Sequence, residues 1–134
     1  KFVFGCEHLD RQGFVVDFGG LKDVKRQLQE WFDHTVCLQS DDPLIGTFRV
    51  LQEQSQCILQ TFPTISSEGL AEWTGEYVDS VLQDKYKGRC WVLESHHIEA
   101  SKNSAIYYPQ ENPDRLDFET LVELNKEILY GDLH

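Results

Sequence analysis

Two stretches of the chain carry apolar residues at the spacing of an amphipathic helix, three or four positions apart. These residues are Leu21, Val24, Leu28 and Trp31 in the first stretch and Leu70, Trp73, Tyr77 and Val81 in the second. The first helix should end near Asp33. The second should begin at Ser66 or Ser67, whose hydroxyl can cap it, and should end at Lys87–Gly88.

Segments rich in β-forming residues lie on either side of these helices. They are residues 2–5 and 14–18 before the first helix, and residues 90–94 and 104–108 after the second. The polar stretch between the members of each pair predicts an antiparallel hairpin. Pro43 opens a shorter predicted helix over residues 44–54, and residues 57–61 form an apolar run of undecided type. A last helix is predicted from about Asp117 to Leu129.

The predicted order of elements is strand, strand, helix, helix, strand, strand, followed by a C-terminal helix. This order indicates an α+β fold, in which an antiparallel four-stranded sheet is covered by two helices on one face. The other face and the edges of such a sheet lack partners. We therefore expect subunits that assemble into rings through their sheets.

The charge and the cysteines narrow the class of protein. The 134 residues have the length of one domain, and their net charge of -11 disfavours nucleic acid and anionic membranes as partners. No stretch approaches the ~20 apolar residues of a membrane span. The four cysteines contain no C-x-x-C pair. They are interpreted as the reduced thiols of a soluble cytoplasmic protein rather than as two disulfides.

Several short segments, in this order along the chain, resemble the family of 6-pyruvoyltetrahydropterin synthase and bacterial 6-carboxytetrahydropterin synthase. They are "GFVVDFGGLK", "FDHTVCLQSDDP", "SSEGLAEW", and "WVLES" before "NSAIYY". The resemblance is closer to the bacterial queuosine branch and covers residues 1–108, which leaves residues 109–134 as a linker and C-terminal helix. It implies the tunnelling fold, with trimers whose sheets form a barrel and two trimers stacked as a hexamer.

The resemblance also implies roles for particular residues. The family's proton-transferring Asp-His pair falls on Asp33 and His34, a residue combination suited to that task because histidine titrates near neutral pH. The family's pterin-anchoring carboxylate falls on Glu94, which can accept two hydrogen bonds side by side from the ring. Ser66 and Glu68 match the stretch that lines the pterin pocket. Each of these residues also has an ordinary structural interpretation. His34 can be a histidine favoured at a helix end, and Glu94 can be a solvated glutamate. Ser66 and Glu68 can serve only to cap the helix.

The family further uses zinc held by three histidines, one from an A-A-H motif and two from H-G-H, together with a catalytic cysteine. None of these motifs is present in the chain. Aligned on "VVDFG", Lys1 falls just after the H-G-H position, so the resemblance implies Zn²⁺ ligands upstream of Lys1. His8, His96 and His97 lack ordinary ligand spacing, and no metal ligand is predicted within the chain. His134 is interpreted as a remnant of a tag.

The sequence thus predicts a zinc-dependent lyase that converts 7,8-dihydroneopterin triphosphate to 6-carboxy-5,6,7,8-tetrahydropterin in queuosine (7-deazaguanine) biosynthesis. The 6-pyruvoyl product is an alternative. The second hypothesis is a non-catalytic interaction module of the same fold, because the zinc histidines and the catalytic cysteine are absent. Their absence also argues against activity of this chain alone. Another tunnelling-fold enzyme, such as a dihydroneopterin aldolase or a cyclohydrolase, would not explain "FDHT".

Overall fold

The computed structural model describes residues 1–131, and the predictions for His134 and for the end of the 109–134 segment lie outside them. Within residues 1–131, four helices and five strands form an α+β arrangement. In chain order they are β1 (Phe2–Cys6), α1 (Lys22–Phe32), β2 (Val36–Gln39), α2 (Ile45–Glu53), β3 (Leu59–Phe62), α3 (Ser67–Tyr86), β4 (Cys90–Ala100), β5 (Asn103–Tyr107) and α4 (Phe118–Gly131). Short 3-10 turns precede α1, at Phe18–Leu21, and follow β5, at Pro109–Glu111.

The main sheet is antiparallel, with strand order β1-β4-β5. The α+β class and the antiparallel sheet are therefore confirmed, but within residues 1–131 the sheet has three strands and not four. The missing member is the strand predicted over residues 14–18. β1 instead pairs with β4, with Phe2 opposite Ser95 and Cys6 opposite Cys90.

The prediction of a strand at residues 14–18 is wrong because side chains form hydrogen bonds with the backbone N–H and carbonyl groups of this segment. The guanidinium of Arg89 donates to the carbonyl oxygens of His8, at 2.9 Å, and Val15, at 2.9 Å. The carboxylate of Asp10 accepts from the N–H of Phe14 at 2.9 Å. Backbone groups held in this way are not free to pair with a neighbouring strand.

Two further strand predictions differ from the structure. The polar stretch predicted as a loop after Glu94 continues β4 as far as Ala100, because it stays paired with β5 through His97 opposite Ala105. The undecided run at residues 57–61 contains most of β3, which pairs in parallel with β2 as a separate two-stranded sheet. Sequence pattern alone did not reveal β2.

The helix predictions are confirmed. α1 ends at Phe32 with Asp33 as its C-cap, and α3 begins after Ser66, whose hydroxyl accepts from the N–H of Gly69. Lys87 ends α3 in the left-handed conformation, with φ of 52°. No helix within residues 1–131 is both long enough and apolar enough to cross a membrane.

Helix α3 lies between the two parts of the core, because both of its sides are covered. The first cluster joins it to the sheet and to α1, and consists of Val16, Val24, Val78, Leu82, Cys90 and Val92. The second joins it to α4 and β3, and consists of Phe62, Leu70, Trp73 and Leu121. The close approach of α3 to β4 needs Gly75, since a Cβ there would lie 2.6 Å from the Cβ of Ser95. This packing fixes the position of β4.

Candidate functional site

A β-bulge in β4 decides which way Glu94 faces. Val3 lies opposite Glu94 while Phe4 lies opposite Val92, so Leu93 is an extra residue in the ladder. Without it, Val92 and Glu94 would share a face, because alternate residues of a strand point the same way. With it, Val92 turns to the helices and Glu94 turns away from them.

The sheet consequently has two different faces. On the helix face, Ser95 is fully buried and donates to the carbonyl oxygen of Ala71 in α3 at 2.7 Å. We call the opposite side the open face, which carries Val3, Trp91, Glu94, His96, Ile98 and Ile106. Ile98 and Ile106 are exposed at 59% and 43%, so the open face is an apolar surface with a carboxylate and an imidazole set into it.

Glu94 and His96 form a close pair on the open face. His96 Nε2 lies 3.7 Å from Glu94 Oε2, and the two side chains are 15% and 31% exposed. This separation exceeds hydrogen-bonding distance. His96 Nε2 is buried and has no hydrogen-bond partner among residues 1–131. Glu94 is therefore the accessible member of the pair, and the Nε2 atom of His96 is enclosed by the protein.

Asp33 and His34 lie together at the end of α1, as predicted, but nothing holds them in a fixed geometry. His34 Nε2 is 3.7 Å from Asp33 Oδ1, and the side chains are 91% and 68% exposed. His34 adopts a positive φ of 56°, which turns the chain sharply between α1 and β2. Asp33 lines a groove of about 680 Å³ between β1 and α1, and His34 lines a different cavity beside Cys57.

Ser66 and Glu68 lie at the start of α3 and are both exposed. Ser66 Oγ accepts from the N–H of Gly69 at 3.1 Å, so it serves as an N-cap. Position 69 next to this cap is a glycine, and a Cβ there would lie 2.6 Å from the side chain of Thr64. The described structure therefore gives Ser66 a capping role.

The predicted site residues occupy separate surfaces of one subunit. Glu94 is on the open face, whereas Ser66 and Glu68 belong to α3, which packs on the helix face. Asp33 and His34 are at the C-terminal end of α1.

The described residues do not provide a zinc site. No group of three or more His, Cys, Asp or Glu side chains in residues 1–131 is placed to hold a metal ion. His96 and His97 are successive residues of β4 and point to opposite faces of the sheet. Tetrahedral zinc in proteins needs at least three such ligands close together, so the chemistry below uses only this chain's carboxylates and imidazoles.

A second group of polar residues, which sequence reasoning missed, lies between α3 and the helix face of the sheet, where Asp79 accepts from the N–H of Val92. Arg115 Nε is 3.0 Å from each carboxylate oxygen of Glu76, and its Nη2 is paired with Asp79. Tyr107 donates to Glu76 at 3.1 Å. Burial raises the pKa of Glu76, and the hydrogen bond from Arg115 opposes that rise. The available signal was two carboxylates one helical turn apart that flank the apolar residues Tyr77 and Val78 of α3, since buried charges require a partner.

These features define a class of protein: an α+β domain whose antiparallel sheet has helices on one face and a partly exposed carboxylate beside an imidazole on the other. The family model described as 6-pyruvoyl tetrahydropterin synthase matches residues 1–110, and the chain belongs to that family. It is thus a tunnelling-fold protein of pterin metabolism, from a family of lyase-type enzymes, as the sequence motifs predicted. No curated protein and no solved structure matches the chain.

Proposed function

We propose that the protein binds the pterin ring of 7,8-dihydroneopterin triphosphate at Glu94 and acts as a 6-carboxytetrahydropterin synthase-like lyase in 7-deazaguanine biosynthesis. The observation that carries the proposal is the position of the Glu94 carboxylate, which the bulge at Leu93 turns to the open face and which lies 3.7 Å from the imidazole of His96, beyond hydrogen-bonding distance. The family match supports a pterin as the substrate class.

Glu94 suits the recognition of a pterin for a chemical reason. The pyrimidine edge of the ring carries an amino group and an adjacent ring N–H, both of which are donors. A carboxylate accepts two such bonds side by side in one plane. The neighbouring Trp91 and the exposed isoleucines offer the apolar surface against which a planar ring can lie.

Asp33 and His34 would carry out the proton transfers. In the proposed step, His34 takes a proton from a side-chain carbon of the substrate, and the electron pair of that C–H bond forms a double bond as the C–O bond to triphosphate breaks. Asp33 stabilises the resulting imidazolium. Triphosphate leaves with the electrons of the broken bond.

The proposal includes a homo-oligomer, with a hexamer of two trimers as its expected form, and a cytoplasmic location. Two observations support assembly through the sheet. The open face exposes Ile98 and Ile106, and Glu94 lies on a different surface from Asp33 and His34. A site completed by a neighbouring subunit would bring these groups to one substrate.

A second candidate is a module that holds the pterin ring without turning it over. The exposure of Asp33 and His34, and the absence of a hydrogen bond between them at 3.7 Å, favour this alternative. Both candidates bind the ring at Glu94. The second candidate does not catalyse the release of triphosphate.

Release of triphosphate from 7,8-dihydroneopterin triphosphate tests the proposal. We expect release by the protein, loss of release in His34→Ala, and unchanged release in the control His8→Ala, which removes another exposed imidazole. Equal rates in His34→Ala and the parent would remove His34 from the mechanism. Tight binding of neopterin without any release would favour the binding module.

A further inference from the structure

We propose that helix α4 braces the turn that carries Asp33 and His34, and that Phe118 is a positioning residue for the proton transfer. The inference rests on the proposed function, because it takes His34 as the base. Helix α4 lies beyond residues 1–110, the part of the chain that the family model matches, so the family match assigns it no role.

The backbone of the turn determines where the pair lies. The side chains of Asp33 and His34 are 68% and 91% exposed, so they depend on the backbone for their position. Two hydrogen bonds close the turn onto α1. The N–H of Asp33 donates to the carbonyl oxygen of Gln29 at 2.8 Å, and the hydroxyl of Thr35 donates to that of Trp31 at 2.6 Å. Both acceptors belong to the last turn of α1, so a shift of that turn would displace the pair.

The indole of Trp31 anchors the last turn of α1 in the second core cluster. Its ring centroid lies 5.8 Å from that of Trp73 and 4.8 Å from that of Tyr77, both in α3. Phe118, the first residue of α4, lies 5.9 Å from Trp31 by the same measure. Its ring also packs on Trp73 at 5.0 Å and on Tyr77 at 5.3 Å. Because aromatic rings packed in this way leave little free space, Phe118 limits the positions that Trp31 can take.

Helix α4 also holds the strand that follows the turn. Ser40 comes directly after β2 and is 3% exposed, and its hydroxyl contacts the side-chain oxygen of Asn125 in α4. The amide of Asn125 donates to the carbonyl oxygen of Thr61 in β3 at 3.1 Å. One helix therefore contacts the element before the turn and the element after it, so the geometry of the turn depends on α4.

Accurate placement of the turn matters for the proposed reaction. A general base must come within hydrogen-bonding reach of the proton that it removes, and a misplacement of about 1 Å can cost about a hundredfold in rate. Loss of the Phe118 ring should therefore lower kcat. It should leave KM nearly unchanged, because the ring of the substrate is bound at Glu94, on the open face.

The test combines triphosphate release from 7,8-dihydroneopterin triphosphate with amide hydrogen exchange, both measured on the whole chain. In Phe118→Ala, kcat should fall by about tenfold while KM stays within about twofold. Exchange of the Asp33 amide should quicken by about tenfold relative to the amide of Val92 in β4, because the turn opens locally. Phe118→Tyr, which keeps the ring, should restore both values.

The control Leu82→Ala removes a fully buried side chain from the first core cluster. It should lower overall stability but leave kcat and the exchange ratio as in the parent protein. Circular dichroism monitors folding of each variant. A fall in kcat of the same size in Leu82→Ala would assign the effect to overall stability and contradict the inference.

Parent values of kcat and of the exchange ratio in Phe118→Ala would overturn the brace and leave the proposed function in place. Absence of release by the parent protein would overturn the proposed lyase and the positioning role with it, whereas the exchange ratio would still show whether α4 holds the turn. If Phe118→Ala does not fold, Phe118→Leu replaces it, and parent behaviour in that variant would be decisive against the inference.

Discussion

The carboxylates on the two sides of the main sheet differ in burial and in the partners that they contact. On the helix side, Glu76 and Asp79 are 2% and 3% exposed, and Arg115 is paired with both. On the open face, Glu94 is partly exposed, and the imidazole of His96 lies 3.7 Å from it, beyond hydrogen-bonding distance. The first arrangement gives both carboxylates partners within the fold, and the second leaves the carboxylate of Glu94 accessible at the surface.

The difference distinguishes a structural carboxylate from one that can recognise a substrate. Burial without a partner is costly for a charged group, and Glu76 and Asp79 both have partners: Arg115 pairs with each of them, Tyr107 donates to Glu76, and the N–H of Val92 donates to Asp79. Glu94 avoids that cost through contact with solvent. It therefore keeps two acceptor oxygens free in a surface that is otherwise apolar.

The largest expected effect on stability comes from removing the partner of the buried carboxylates. Arg115→Met should lower the free energy of unfolding by about 3 kcal/mol, because two buried carboxylates lose their cation. Chemical denaturation measures the change. The control Lys126→Met breaks an exposed pair with Glu123 and should cost no more than about 0.5 kcal/mol. Equal, small losses in the two variants would contradict the distinction between the faces.

A smaller effect is expected at Tyr107, whose hydroxyl donates to Glu76. Tyr107→Phe should cost about 1 kcal/mol near neutral pH, the value of one hydrogen bond.

Burial raises the pKa of Tyr107 to about 12. Because a tyrosine in the unfolded chain loses its proton at a lower pH, near 10, the contribution of Tyr107 is present below about pH 10 and declines as the pH rises to about 12. The stability difference between the parent and Tyr107→Phe should therefore shrink across that range in urea titrations at several pH values. A constant difference would show that folding does not raise the pKa of Tyr107.

The smallest effect on stability is expected at Glu94. Glu94→Gln should leave the free energy of unfolding within about 0.5 kcal/mol of the parent, because the carboxylate lies beyond hydrogen-bonding distance of His96 and makes no hydrogen bond within residues 1–131. Glu99→Gln is the control on the same strand. A loss in Glu94→Gln comparable to that in Arg115→Met would mean that Glu94 is a structural residue after all.

The helices could be predicted from the sequence because their stabilising contacts follow a local pattern. The apolar stripe of α1 and the Ser66 cap of α3 are visible in short windows of the chain. The segment at residues 14–18 was misassigned for the opposite reason. Its backbone carbonyl groups accept hydrogen bonds from Arg89, which lies more than seventy residues later in the chain. A pattern within a short window of the sequence does not indicate a contact over that distance.

The candidate site could be predicted only in part. Motif resemblance identified Glu94, but its orientation depends on the bulge at Leu93, which arises from the pairing of β4 with β1. The proximity of His96 follows from strand alternation only once β4 is known to continue past Glu94. Arg115 lies in a polar segment beyond the motifs, and its contact with Glu76 spans 39 positions of the chain.

The most direct test of the central claim, that Glu94 holds the pterin ring, is the affinity for neopterin measured by calorimetry in the parent protein, Glu94→Gln and Glu99→Gln. The account predicts that Glu94→Gln loses about 1 to 3 kcal/mol of binding free energy, because one acceptor oxygen becomes a donor facing the donors of the ring. Glu99→Gln should bind as the parent does. Equal affinity in all three proteins would contradict the account.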